Sequence, residues 1–188
     1  LDFPTRAELP IYIASRSPLM LSVGGEVADG VIAEALFTPG GVQYVREQII
    51  KGAEKAGRDW NQVEHICWQV MDCTDDRKSG IEALRPWAAH IIGASGPEIL
   101  HRLSINPDRG HAIQSAYREG GVETAVEHIS EKEVDAIAVV GDGMHCMEFV
   151  ERTRDEGISS IAFLVRGSEV DKERSLRNFA KKVIIENA

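Results

Sequence analysis

The chain lacks the features that would anchor it, cross-link it or charge it for a polyanion. No apolar run approaches the roughly 18 residues a membrane-spanning helix needs, and the N-terminal residues carry no signal-peptide pattern. Three cysteines, Cys67, Cys73 and Cys146, are an odd number at spacings that fit no disulfide framework. They read as reduced, buried thiols. His65 stands close to Cys67 and Cys73, but a fourth ligand and a zinc-like spacing are missing, so no metal is expected. Basic residues number 21 against 30 acidic ones, a net charge of -9. That balance argues against a broad nucleic-acid or anionic-membrane surface. No Gly-x-Gly-x-x-Gly or P-loop pattern occurs, nor any tandem repeat. The expectation left standing is a cytoplasmic protein that acts on a small molecule.

What is present is alternation of strand and helix patterns. An apolar strand over residues 11–14 leads into small polar residues and a short helix over 18–27 with proline in its first turn. A second strand, 31–35, is entered through Asp29-Gly30. An amphipathic helix over 39–56 follows, with Val42, Val45, Ile49 and Ala53 on one face and Gly57 as its stop. The third strand, 63–73, carries Ile66, Trp68 and Val70 on one face. Asp75 is the expected cap of the next helix, which contains Pro86. Residues 93–128 are helical but punctuated by Gly96-Pro97, Asn106-Pro107 and Gly120-Gly121, and read as an insertion. Residues 136–140 are a strand or the lead-in to a helix capped by Asp142 and ended by Gly157. A last strand, 158–165, precedes a charged closing helix over 170–185, with Leu176, Phe179, Ala180 and Val183 as its buried stripe. Residues 1–9 read as a linker or as the remnant of a preceding loop. The pattern specifies an α/β fold with a parallel sheet in a single domain, 1–188. Four βα units suit either a flavodoxin-like sheet or half of an eight-stranded barrel.

Chemistry is expected where strands end. Ala14, Ser15, Arg16 and Ser17 lie between a strand and a helix N-terminus, where backbone N–H groups, hydroxyls and a guanidinium can hold an anion. The plain alternative is a βα loop with serine as the helix cap. Glu34, at the end of the second strand, can orient a substrate or move a proton; it can equally be a solvated carboxylate. Arg166-Gly167-Ser168 offers an anion contact or a helix cap. His145 and Cys146 are adjacent on a helix and point about 100° apart, so they read as surface and core residues rather than a dyad. His65, His90, His101, His111 and His128 show no metal spacing and no evident partner.

The segments Pro10 to Met20, Gly25 to Val31, Gly52 to Asp59 and Val139-Val-Gly141, in this order, resemble the luciferase-like monooxygenase superfamily. The similarity is greatest to its deazaflavin-dependent branch, typified by methylenetetrahydromethanopterin reductase. The resemblance implies a (β/α) barrel of which this chain supplies strands five to eight, with a helical insertion before the last strand. It implies an oxidoreductase passing hydride between reduced coenzyme F420 and a one-carbon pterin-type substrate. The cofactor's tail falls at Ala14, Ser15, Arg16 and Ser17, the substrate near Glu34, and the catalytic side chains in the absent half. FMN is the alternative cofactor, in an oxygen-activating monooxygenase. A non-catalytic flavoprotein, or a structural half-barrel needing a partner chain, is the reading from another class. Relatives usually carry Gly at the position of Ser17, Asn at Glu34, and Thr-Pro where Asp142-Gly143 stands. The full-length protein is expected to be a homo-oligomer. A half-barrel leaves two raw sheet edges, so the isolated chain is expected to lack turnover and to be marginally folded or associated.

Overall fold

Short β-branched runs alternate with helices that begin on capping residues, and the folded chain follows that alternation closely. The computed structural model describes residues 9–185; the expected linker lies almost wholly outside them. Strand β1 (Tyr12–Ala14) leads to helix α1 (Pro18–Val27), β2 (Gly30–Glu34) to α2 (Pro39–Ala56), and β3 (Glu64–Cys73) to α3 (Arg77–Ala94). The punctuated region forms α4 (Pro97–Arg102), α5 (Pro107–Ala125) and α6 (Glu131–Asp135). Then come β4 (Ala138–Gly141), α7 (Gly143–Asp155), β5 (Ser160–Leu164) and α8 (Glu169–Phe179), which continues as a π-helical turn, Ala180–Ile185.

All strand pairings are parallel. β2 pairs with residues 64–68 of β3, and β5 with residues 66–70, so these neighbours occupy opposite edges of β3. β4 takes the continuation of the β2 edge. The Trp68 carbonyl accepts from Ala35 N–H, Thr74 N–H donates to the Gly141 carbonyl, and alternate residues of a strand present their backbone to the same edge. The sheet is therefore β1-β2-β3-β5, with β4 extending one flank of β3. No strand among the described residues pairs with the outer edge of β1 or of β5.

The two faces of this sheet differ. On one, His65, Cys67, Gln69, Met71 and Cys73 of β3 are all buried. Cys67 and Met71 pack with Phe37, Val42, Val139, Cys146 and Phe149, while Val31 and Ala33 of β2 pack with Leu21, Val45 and Ile49. Helices α1 and α2 approach closely here. A Cβ on Gly52 would lie 1.8 Å from the Ser22 carbonyl oxygen, and one on Gly25 2.1 Å from that of Ile49. The other face carries Ile32, Ile66, Trp68, Ala162 and Leu164, and it is open along most of its length; Trp68 is 37% exposed. The apolar stripe read from Ile66, Trp68 and Val70 is thus the uncovered side of β3 except at Val70, which is buried.

Several boundaries match the sequence reading. Thr38 caps α2, whose second face residues Val42, Val45, Ile49 and Ala53 are all buried, and Gly57 closes it at φ +66 in the left-handed region. Asp142 caps α7, and Gly157 follows it at φ +80. Two readings are corrected. Asp76, not Asp75, caps α3, its carboxylate accepting from Ser79 N–H at 3.1 Å, because Asp75 is drawn off to Lys182 at 2.7 Å. The closing helix does not bury Leu176, which is 51% exposed. β3 outruns β5, so the backbone of Cys73 needs partners. Ser175 Oγ accepts its N–H and Asn178 Nδ2 donates to its carbonyl, each at 2.9 Å. Satisfying that strand end fixes the rotation of α8 and turns Leu176 outward.

Candidate functional site

The four residues after β1 sit at the C-terminal end of the parallel sheet. Ala14 pairs with Ile32 in register and is exposed. Ser15 prolongs the pairing, donating its N–H to the Ile32 carbonyl at 3.0 Å, while its hydroxyl accepts from Ser17 N–H at 3.0 Å. Ser17 caps α1, its Oγ accepting from Met20 N–H at 3.4 Å. Pro18 has no N–H, so among the described residues Leu19 provides the one first-turn donor of α1 to which no hydrogen bond is assigned. The helix terminus is mostly occupied by its own loop. An anion here would depend on Ser15, Ser17 and Arg16 more than on free helix N–H groups.

Arg16 is held from two sides. Its guanidinium donates to Ser95 Oγ at 3.0 Å, and its carbonyl accepts from the Tyr44 hydroxyl at 3.0 Å. Tyr44 is fully buried beneath the Arg102 guanidinium, 5.0 Å from the ring centre, and Thr38 donates to the Arg102 carbonyl at 2.6 Å. The inserted helices α4 and α5 are thereby tied to the loops that follow β1 and β2. Gln114 of α5 adds a 2.6 Å bond to the Ser95 carbonyl, and Tyr117 fills the space where Gly93 lacks a side chain. Tyr44, Ser95 and Arg102 were not singled out from the sequence; each becomes relevant through contacts 28 to 79 residues apart.

Glu34 closes β2 one strand away from this loop, half-buried, on the open face shared with Ile32 and Trp68. Adjacent strands lie about 4.8 Å apart, so Glu34 and the β1–α1 loop stand side by side at one end of the sheet. Ala35 follows at φ +59, a left-handed conformation costly for a residue with a Cβ. It turns the chain sharply away directly after the carboxylate. At the same end of β5, Arg166 stacks on Trp87 of α3, 3.7 Å from the ring centre, and Ser168 forms a capping box with Asp171. The capping reading of Ser168 is the one realised.

The remaining sequence candidates lie away from these residues. His145 is exposed and Cys146 fully buried, as their helical phase requires. His90, expected to lack a partner, shares a 3.0 Å hydrogen bond between its Nδ1 and the Tyr117 hydroxyl. His65 is 6% exposed at the opposite end of the sheet, its Nε2 without a hydrogen-bond partner; burial, with Arg46 nearby, lowers its pKa to about 4. Burial pushes the Cys67 thiol up to about 12. Half-open cavities of about 310 Å³, between the loop after β2 and α7, and about 240 Å³, beside His65, are lined by none of Ala14, Ser15, Arg16, Ser17 or Glu34.

A parallel α/β sheet with its candidate polar groups gathered at the strand C-termini defines the class to which the comparisons then give a family. Residues 1–160 match the luciferase-like monooxygenase family, and the chain belongs to it. It is 27% identical over 180 residues to 5,10-methylenetetrahydromethanopterin reductase of Methanopyrus kandleri, covering 95% of this chain and 50% of that protein. It is 26% identical over 180 residues to F420-dependent glucose-6-phosphate dehydrogenase of Gordonia bronchialis, covering 92% of this chain and 46% of that one. The solved structure of the F420-dependent tetrahydromethanopterin reductase from Methanopyrus kandleri superposes with a TM-score of 0.77 at 25% identity, over 95% of this chain and 51% of the other. The chain spans about half the length of these relatives.

Proposed function

We propose that this chain is the cofactor-tail and substrate-facing half of a deazaflavin-dependent oxidoreductase, with coenzyme F420 as its cofactor and a one-carbon pterin-type compound as its substrate. The observation that carries the reading is the placing of the β1–α1 loop beside Glu34 at the C-terminal end of the sheet, in a chain similar to F420-dependent reductases along nearly all its length. The residues fit an anionic tail. Ser15 and Ser17 supply hydroxyls, the Arg16 guanidinium is fixed by Ser95, and exposed Ala14 lets a ligand approach the strand end. Glu34 orients the substrate from the neighbouring strand. When bound, F420 supplies the hydride chemistry, and the chain's part is to hold and orient. On this reading β1, β2, β3 and β5 are four strands of a (β/α) barrel, α4 to α6 are the insertion before its last strand, and residues 1–188 act as one domain.

The test is a titration of the purified chain with F420 and, separately, with FMN, followed by cofactor fluorescence. Micromolar affinity for F420, weaker for FMN and at least tenfold lower in an Arg16→Ala variant, supports the reading. Preference for FMN moves it to the oxygen-activating monooxygenases. Binding of neither cofactor overturns it.

A further inference from the structure

We propose that the half-open cavity beside His65 is a binding site for a small carboxylic acid with an apolar body, its carboxylate received by Arg46 and His65. The site lies at the N-terminal end of the sheet, away from the β1–α1 loop and Glu34. The inference stands independently of the cofactor reading.

The walls come from segments far apart in the chain. Arg46 and Ile49 lie three residues apart on α2, Trp60 and Val63 bound the 3-10 turn Trp60–Gln62, His65 stands at the start of β3, and Ser159 precedes β5. β3 pairs with β2 on one edge and with β5 on the other, so this corner is built from strands paired to one another. The backbone of His65 is fixed from both sides. Its N–H donates to Ser159 Oγ at 3.2 Å, and its carbonyl accepts from Ser159 N–H at 2.8 Å.

Two polar groups at this cavity lack the partners such groups ordinarily have. His65 is 6% exposed and its Nε2 has no hydrogen-bond partner, whereas buried polar atoms nearly always find one. Arg46 donates to the Glu156 carbonyl, but among the described residues no carboxylate pairs with it. Most of its five-donor fork is left to grip a carboxylate. Among the described residues no carboxylate lines the cavity, so nothing there repels an anion.

The charge and the walls define the ligand. Burial and Arg46 lower the His65 pKa to about 4, so the ring is neutral at pH 7 and the site carries the single positive charge of Arg46. One charge suits a monoanion better than a doubly charged phosphate. A neutral imidazole with its proton on Nε2 donates to the second carboxylate oxygen. Ile49, Val63 and the Trp60 ring supply apolar walls for the rest of the molecule. The volume of about 240 Å³ falls below the range of roughly 300–1,000 Å³ usual for drug-sized ligands, so the occupant is small, on the order of ten non-hydrogen atoms.

The test is a titration of the isotope-labelled chain with sodium benzoate, followed at the imidazole nitrogen resonances of His65, which are assigned by their loss in His65→Gln. Benzyl alcohol, of similar shape without the charge, and inorganic phosphate, charged without an apolar body, are titrated beside it. The expected result is a saturable shift at Nε2 with a Kd of about 1 mM or tighter. Benzyl alcohol and phosphate are expected to bind at least tenfold more weakly. Arg46→Gln is expected to weaken benzoate at least tenfold. Arg46→Lys keeps the charge and a donor for the Glu156 carbonyl, guards against misfolding, and is expected to weaken it several-fold. Absence of a saturable shift, or benzyl alcohol binding as tightly as benzoate, overturns the proposal. Phosphate binding more tightly than benzoate overturns it as well, since the site would then recognise charge alone.

Discussion

At the scale of the residue, burial decides what each titratable side chain does. His65 has its pKa lowered from 6.5 to about 4, chiefly by burial and then by Arg46. The folded state thus binds this proton less readily than the unfolded chain. The stability His65 permits is present above pH 6.5 and is lost as the pH falls toward 4. The sign predicts a loss of about 2 kcal/mol between pH 7 and pH 5 from this residue. Urea denaturation at the two pH values should show it, and His65→Gln should flatten the difference; an equal slope in the variant would assign the effect elsewhere. Cys67, held neutral by burial with its pKa at about 12, is expected to react with a thiol reagent only when the protein unfolds. Labelling at native rates in buffer would contradict that. Glu133 shows the opposite balance. Burial works against its charge, yet Arg109 and Ser130 outweigh the penalty and hold the carboxylate below its usual range.

At the scale of the element, the sequence was most legible where a local signal also met no competitor. Pro39 after Thr38, an apolar stripe and Gly57 bound α2 without help from the rest of the molecule. Pro18 and Ser17 do the same for the start of α1. Asp75 and Leu176 misled because distant groups reassigned them: Lys182 takes Asp75, and the stranded backbone of Cys73 takes the face of α8. The α1–α2 crossing was invisible in the sequence, since a glycine in a helix reads as a defect until a backbone lies against it. Gly52→Ala would place a methyl group 1.8 Å from the Ser22 carbonyl oxygen and force the helices apart. We expect a loss of at least about 2 kcal/mol, seen as a lower thermal midpoint, against the slight gain that Gly→Ala brings in an unpacked helix. Gly40→Ala, at the exposed start of the same helix with nothing within 4 Å, is the control and should be neutral or mildly stabilising.

At the scale of the whole molecule, the polar groups around the β1–α1 loop come from the first βα units and from the insertion. Arg16 and Tyr44 belong to the first units, Ser95 and Arg102 to the region after α3. Ser95→Ala frees the Arg16 guanidinium and is predicted to weaken F420 binding several-fold while leaving the chain folded, measured by the same fluorescence titration beside circular dichroism. Because the chain matches only about half of its relatives, the 188 residues by themselves are predicted to give no oxidation of reduced F420 in the presence of a pterin substrate. Turnover at a full enzymatic rate would contradict this.

Order and periodicity along the chain determined the alternation of strand and helix, the parallel α/β class, most helix boundaries, and the family through its ordered motifs. These depend on local backbone preferences and on near-neighbour spacing, which a linear sequence displays directly. Only the tertiary structure decided that β4 and β5 flank β3 on opposite edges, and that Ser95 steadies Arg16. It alone decided that the stripe of Ile66 and Trp68 is the uncovered face. The physical reason is the same in each case. A strand's period of two marks which residues share a face, but which face is covered depends on where distant helices find hydrogen bonds and room to pack.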